Sequence, residues 1–280
     1  IEGTRDSGWM NDVIIDNAMY MLKHEFPHKQ GLQSAHLANV KKFKRNSGAK
    51  GGAPVLQIIN TELDGSGEHW VLLSTVNAPP NTIKLYDSTN ACYLNDNMRS
   101  AMVNLIKADG DIIKVDFMHS DEQTNSYDCG IFSIANMVAL AHDMDVCNMV
   151  FEPEEMRSSL LQSFELQNMQ IFPHHIDNSE DKGMLSTEII EVFCSCKMTD
   201  DRRLYFECES CENWYHPGCE GYGHLSRKQI DKGTLYCKGC KNNNYVPKKK
   251  GRNSLLGTPK NAPSPKKGKG KKTLKRKRRY

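Results

Sequence analysis

The chain has 280 residues, with 37 Lys and Arg against 34 Asp and Glu, 38% hydrophobic residues and ten cysteines; this composition can bury a core, excludes uniform disorder, and at this length suggests about two domains. No run approaches the ~18 consecutive apolar residues of a membrane span, and no charged-then-apolar leader opens the sequence, so membrane and secreted classes are not indicated. The near-neutral balance hides a division: sixteen basic residues and no acidic ones fall in Lys241–Tyr280, which leaves 21 against 34 ahead of it, and seven cysteines fall between Cys194 and Cys240.

Residues 9–25 put Ile14, Ala18 and Leu22 at helical spacing, with Asn11 or Asp12 able to cap the start. β-rich runs follow at Pro54–Ile59, His69–Val76, Thr82–Tyr86 and Ile112–Phe117, separated by turn-forming segments such as DGSGE and NAPPN, and predict one mixed or antiparallel sheet. Met98–Lys107 reads as a helix, and so does the stretch after Asp128-Cys129-Gly130 that carries Ile131, Ile134, Ala135, Val138 and Ala139. A last helix is expected from Pro153 to about Leu166, with Pro in its first turn and Glu154 and Glu155 at its positive end.

Helices flanking strands without regular βαβ alternation give an α+β class for residues 1–172. Residues 173–190 hold Pro173, Asp177, Asn178 and Gly183, lack a clear period, and read as a linker. Residues 191–243 form a cysteine-rich module. Residues 244–280, rich in Lys, Gly, Pro and Ser, cannot offset the entropy of ordering and read as a disordered basic tail.

In the cysteine-rich module the ligand types come in pairs: Cys194-x-Cys196, Cys208-x2-Cys211, His216-x2-Cys219 and Cys237-x2-Cys240. A tetrahedral Zn²⁺ takes four such ligands, so eight imply two structural ions. Clustered C-x-x-C pairs without a secretory context read as metal ligands rather than disulfides. About fifty residues have too little core to fold alone, and metal binding supplies the missing free energy. The ligand order, with Trp214 two residues before His216, resembles a plant homeodomain (PHD) finger. That resemblance implies interleaved sites, Cys194, Cys196, His216 and Cys219 on one zinc and Cys208, Cys211, Cys237 and Cys240 on the other. It also implies a methyl-lysine cage of Phe193, Tyr205 and Trp214, whose ring faces would hold a quaternary ammonium of the histone H3 tail, with Glu209 available to a basic residue of the same peptide.

Four short motifs mark the first domain: Trp9-Met10-Asn11-Asp12, Gly67-Glu68-His69-Trp70, Leu85-Tyr86-Asp87-Ser88, and Gln123-Thr124-Asn125-Ser126-Tyr127-Asp128-Cys129-Gly130. Cysteine nucleophilic catalysis needs these roles together. A helix amino terminus and a nearby imidazole make a thiolate available, a carboxylate orients the imidazole, and fixed donors meet the developing oxyanion. The order His, Asp, Gln, Cys resembles the papain-like cysteine proteases that process ubiquitin-like proteins, the SUMO-specific protease family. The resemblance implies His69 as general base, Asp87 as its orienter, Gln123 as oxyanion donor and Cys129 as nucleophile, with no cofactor for catalysis. Trp9 and Trp70 would cover a narrow channel for a Gly-Gly carboxyl terminus, and Asp12 would contact substrate.

The basic runs PKKKGR and KKTLKRKRR are of the nuclear-import type, and their charge density implies non-specific, salt-sensitive affinity for DNA. Together the parts predict a nuclear cysteine isopeptidase acting on SUMO or a related ubiquitin-like conjugate, brought to chromatin by a histone-binding zinc finger and having no membrane partner. The alternatives are an inactive chromatin-binding adaptor and a processing protease of a mobile element.

Overall fold

The computed structural model describes residues 8–39, 42–61, 69–179, 182–200 and 202–242. The tail expected to be disordered, residues 244–280, lies outside them. The chain divides between Asp201 and Arg202 into two units.

The first unit begins with α1 (Asp12–Glu25), whose start is capped as its sequence allows: Asn11 Oδ1 accepts the Ile14 N–H at 3.1 Å. A six-stranded mixed sheet follows. Its strands are β1 (Gln30–Gly31), β2 (Val55–Asn60), β3 (Trp70–Ser74), β4 (Thr82–Tyr86), β5 (Ile112–Met118) and β8 (Met184–Glu191), side by side in that order. β1 with β2 and β4 with β5 are parallel, and the other neighbours are antiparallel. Between β5 and β8 the chain makes a small ladder of β6 (Met149–Phe151) with β7 (His174–Ile176).

The period of two in the strands builds two cores, one on each face. Leu56, Ile58, Leu72 and Tyr86 face α1, α3 (Cys129–Ala141) and α4 (Pro153–Leu166), while Val55, Ile59, Val71, Leu73, Ile83 and Leu85 face α2 (Asp96–Leu105). Every residue of α3 is buried. This helix is therefore apolar all round rather than amphipathic, as a helix at the centre of a core must be.

Residues 173–190, expected as a linker, instead carry β7 and most of β8. β8 runs antiparallel to β5 from Met184↔Met118 to Glu191↔Ile112. Its inward row is Ser186, Glu188 and Ile190, which conceals the apolar period. Glu188 in this row is matched by Arg99 of α2, and on the other face Thr187 Oγ1 donates to Asp116 Oδ1 at 2.7 Å. Ile190, Val192 and Met198 pack with the α2-side core, so the boundary falls about ten residues later than composition suggests.

The second unit has little apolar core. β9 (Phe206–Glu207) pairs with β10 (Trp214–Tyr215), and α5 (Arg227–Lys232) starts with a capping box of Ser226 and Gln229. Phe206, Ile230 and Leu235 are buried, with Leu204, Tyr215, Tyr222 and Leu225 against them.

If β8 is part of the folded sheet, Ile190→Ala should destabilise the first unit by about 2–5 kcal/mol in denaturant unfolding. A change within about 0.5 kcal/mol, as at a linker position, would refute the assignment.

Candidate active site and cysteine clusters

His69 immediately precedes β3 and Asp87 immediately follows β4. The antiparallel register Leu72↔Tyr86 brings these two strand ends together, and His69 Nε2 lies 2.8 Å from Asp87 Oδ1. The same carboxylate oxygen accepts the Thr89 backbone N–H and the Thr89 hydroxyl, each at 2.8 Å, so the acid is held from two sides. His69 also hydrogen-bonds the Cys129 side chain. Burial works against a charged imidazole here, but hydrogen bonds to Asp87 and Cys129, with the negative charge of both, outweigh it and raise the His69 pKa to about 10. The side chains are 28% and 8% exposed for His69 and Asp87, so the pair is screened from water enough for this to hold.

Cys129 is the first residue of α3 and is fully buried. The positive end of the helix therefore acts on its sulfur. Asp128 caps α3 by position but makes no side-chain cap hydrogen bond; its carboxylate turns to Asn125 Nδ2 at 2.6 Å and to Arg157 Nη2 at 2.5 Å. Asn125 Oδ1 accepts the N–H groups of Tyr127 and Asp128, each at 3.0 Å. This turn closes the loop that delivers Cys129 and explains the spacing from Asn125 to the nucleophile.

Gln123 lies against the residue after the acid. Its Oε1 accepts the Ser88 hydroxyl at 2.6 Å, its backbone N–H donates to Ser88 O at 2.9 Å, and its Nε2 donates to Asn125 O at 2.5 Å. Gly130 completes the close fit: a Cβ there would stand 2.5 Å from Met10 Cβ and 3.3 Å from Trp70 Cδ1.

The two tryptophans differ. Trp9 is 47% exposed, and Asp12 is exposed at the start of α1. Trp70, expected on the channel, is 3% exposed and belongs to the core, its Nε1–H donating to Met10 O at 2.9 Å. An indole with its N–H satisfied inside and no open face acts as packing. The sequence reading missed Ser88, Thr89 and Arg157. Ser88 and Thr89 sit beside the acid and had that signal; Arg157, 28 residues beyond Cys129 on α4, had none.

In the second unit, the Sγ atoms of Cys208, Cys211, Cys237 and Cys240 lie within 4.8 Å of one another, with Cys211 and Cys237 4.0 Å apart. Thiolates around one tetrahedral Zn²⁺ stand about 3.8 Å apart, so the set fits such an ion. Backbone N–H groups of Cys237 and Cys240 point at Cys208 and Cys237 sulfurs at 3.3 and 3.4 Å, as they would to sulfurs carrying charge. His216 Nδ1 is 3.9 Å from Cys219 Sγ. Tyr205, expected in an aromatic cage, is fully buried, its ring centroid 4.2 Å from that of His216; it packs the imidazole and has no face left for a ligand. Trp214 is half-buried. In the first unit, Phe193 is 8% exposed, and its backbone pairs with Met198 across the turn that carries Cys194 and Cys196.

A match to the Ulp1 protease family, C-terminal catalytic domain, covers residues 29–174, a span that holds His69, Asp87, Gln123 and Cys129. Among solved structures, the chain resembles the C-terminal Ulp1 protease domain in complex with Smt3, the yeast ortholog of SUMO, at 17% identity and a TM-score of 0.42 over 60% of this chain and 82% of that one. It also resembles the Xanthomonas campestris effector XopD bound to ubiquitin, at 14% identity and a TM-score of 0.40 over 56% and 92%. A segment of 80 residues, 28% of this chain, is 32% identical to the chromatin remodeling protein EBS of Arabidopsis thaliana and spans about a third (32%) of that relative's length. With the family's match extending over half of the sequence and a Cys-His-Asp constellation assembled inside it, the chain belongs to the Ulp1 protease family and carries a cysteine-type peptidase domain.

Proposed function

We propose that this chain cleaves after the Gly-Gly carboxyl terminus of SUMO or a related ubiquitin-like modifier. The observation that carries the reading is the 2.8 Å His69–Asp87 pair joined by hydrogen bond to a cysteine at a helix amino terminus. At neutral pH the imidazole is held charged beside the sulfur. The Cys129 thiolate attacks the carbonyl carbon of the terminal glycine, and His69 gives its proton to the leaving amine. The thioester left on Cys129 is then hydrolysed by a water that loses its proton to the now neutral His69. The carbonyl oxygen takes the Cys129 N–H and the second N–H of Gln123 Nε2, the first being used on Asn125 O. Trp9, half exposed, supplies an apolar wall that admits glycine and excludes a Cβ, and Asp12 contacts the modifier.

The cysteine-rich part is a zinc-binding finger of PHD type that holds two ions, one on Cys208, Cys211, Cys237 and Cys240 and one on Cys194, Cys196, His216 and Cys219. Zinc there supplies folding free energy to a unit whose described residues bury only Tyr205, Phe206, Ile230 and Leu235 as apolar side chains outside the cysteines. Similarity to a chromatin remodeling protein and the basic carboxyl-terminal sequence support a nuclear protein that binds the histone H3 tail and DNA, raising the protease's concentration on chromatin.

Vinyl-sulfone probes built on SUMO and ubiquitin should label the full chain at Cys129, and Cys129→Ala should abolish labelling. Labelling that survives in this variant, or none by any probe, would overturn the reading. A raised His69 pKa means that the pair's contribution to stability is complete below the unfolded histidine value of ~6.5 and is lost as pH rises through about 10. Activity should likewise persist to an alkaline limb near pH 10, and Asp87→Asn should move that limb to lower pH; an unmoved limb would remove Asp87 from the role. Metal analysis of the purified chain should find two zinc equivalents, falling to one in Cys208→Ser.

A further inference from the structure

A single nitrogen of Arg157 makes two contacts that no motif announces. Its Nη2 donates to Asp128 Oδ1 at 2.5 Å and to the Gly8 carbonyl oxygen at 2.8 Å. Asp128 is the residue before the nucleophile, and Gly8 is the residue before Trp9. The guanidinium carbon stands 5.8 Å from the centroid of the Tyr127 ring, on the same loop. The side chains of Arg157 and Asp128 are only 13% and 10% exposed, so the pair is poorly screened and fixed in direction. Arg157 comes from α4, which packs against α3, and so ties two otherwise separate chain segments to a third, rigid element.

We propose that Arg157 is a positioning residue that sets the distance between the Trp9 wall and Cys129. The proposal rests on the reading of Trp9 as a wall of the substrate channel. Without Arg157, the Gly8–Trp9 segment loses its anchor to the nucleophile loop, and a bound Gly-Gly terminus is no longer aligned with the sulfur. The thiol itself keeps its activation, because that rests on the hydrogen bonds of His69 to Asp87 and to Cys129. Arg157 thus acts on the alignment of substrate and leaves the reactivity of the cysteine alone.

The test uses the full chain with Arg157→Gln and, as the charge-keeping variant, Arg157→Lys. Labelling of Cys129 by a SUMO vinyl-sulfone probe should slow about 10- to 100-fold in Arg157→Gln, as expected for a misaligned reacting pair, and recover in part in Arg157→Lys. Alkylation of Cys129 by iodoacetamide should keep its rate and pH profile, which also reports that the fold is intact. The double variant Trp9→Ala, Arg157→Gln should label no more slowly than the slower single variant. An independent readout needs no substrate: in a Trp214→Phe background, where Trp70 is buried, acrylamide quenching of Trp9 should rise in Arg157→Gln. Equal losses in probe labelling and alkylation, additive losses in the double variant, or unchanged Trp9 quenching would each overturn the proposal. Failure of every modifier probe on the parent chain, with Trp9 quenching still raised by Arg157→Gln, would overturn the substrate reading and keep the positioning role. If Arg157→Gln does not fold, the same readouts on Arg157→Lys decide.

Discussion

The hydrogen bond between His69 Nε2 and Asp87 Oδ1 fixes where three parts of the first unit must stand. Each residue sits one step off the end of a strand, so a slip of one residue between β3 and β4 would turn one of them to the other face. The nucleophile arrives from a helix, not a strand, and that helix needs an axial stop. Cys129, Ser133 and Asn136 share one face of α3. Ser133 Oγ donates to the carbonyl of Trp70, next to His69, at 3.0 Å. Asn136 Nδ2 donates to Ser120 Oγ at 2.8 Å, while Asn90 bonds both backbone groups of Ser120 and closes its own turn onto Asp87 O. On a helix that is buried on every side, these two polar residues are its directional contacts to the strand ends. Apolar packing alone would hold α3 in place with less control of its position along its axis.

The same geometry handles a charge problem. A carboxylate directly before the nucleophile would oppose a thiolate if it faced the sulfur. Asp128 is instead held by Asn125 of its own loop at 2.6 Å, a contact that does not depend on Arg157. The acid that meets the imidazole is Asp87, whose Oδ1 also receives two contacts from Thr89. One carboxylate stabilises the imidazolium, while the other is engaged within the nucleophile's own loop.

Much of this was legible in the sequence because the relevant signals are local. Asn11 and Asn95 cap helices through side chains that reach three residues ahead, and the strands from Val55 to Met118 carry their period in the residues themselves. The spacing of the Gln123 to Gly130 motif is the spacing of one turn and one helix start. What was not legible depends on partners far away in sequence. β8 hides because Glu188 and Thr187 are satisfied by Arg99 and Asp116, residues some 70 to 90 positions earlier. Trp70 is placed on the channel by resemblance alone, whereas its indole N–H donates to the Met10 carbonyl within the core, a partner 60 residues earlier. Tyr205 has the spacing of a cage residue and the burial of a packing one.

The family's match stops at residue 174, yet the first unit does not. β8 adds a sixth strand beyond it, and directly after β8 comes the turn with Cys194 and Cys196. Arg45 Nη1 and Nη2 bond the carbonyl oxygens of Cys196 and Lys197 at 2.7 and 2.8 Å, and Lys197 Nζ pairs with Asp111 at 2.8 Å. Burial lowers the Arg45 pKa, and the nearby Cys196 works the other way. Cys194 sits at a positive φ of 63° and Lys197 at 53°, conformations that side chains disfavour and that these contacts hold. The backbone of the 194–197 turn is thus held against the sheet of the first unit. A strand lacking a clear apolar period therefore does two things: it covers β5 as the edge of the sheet, and it leads into a turn whose strained backbone is fixed by Arg45 and Asp111.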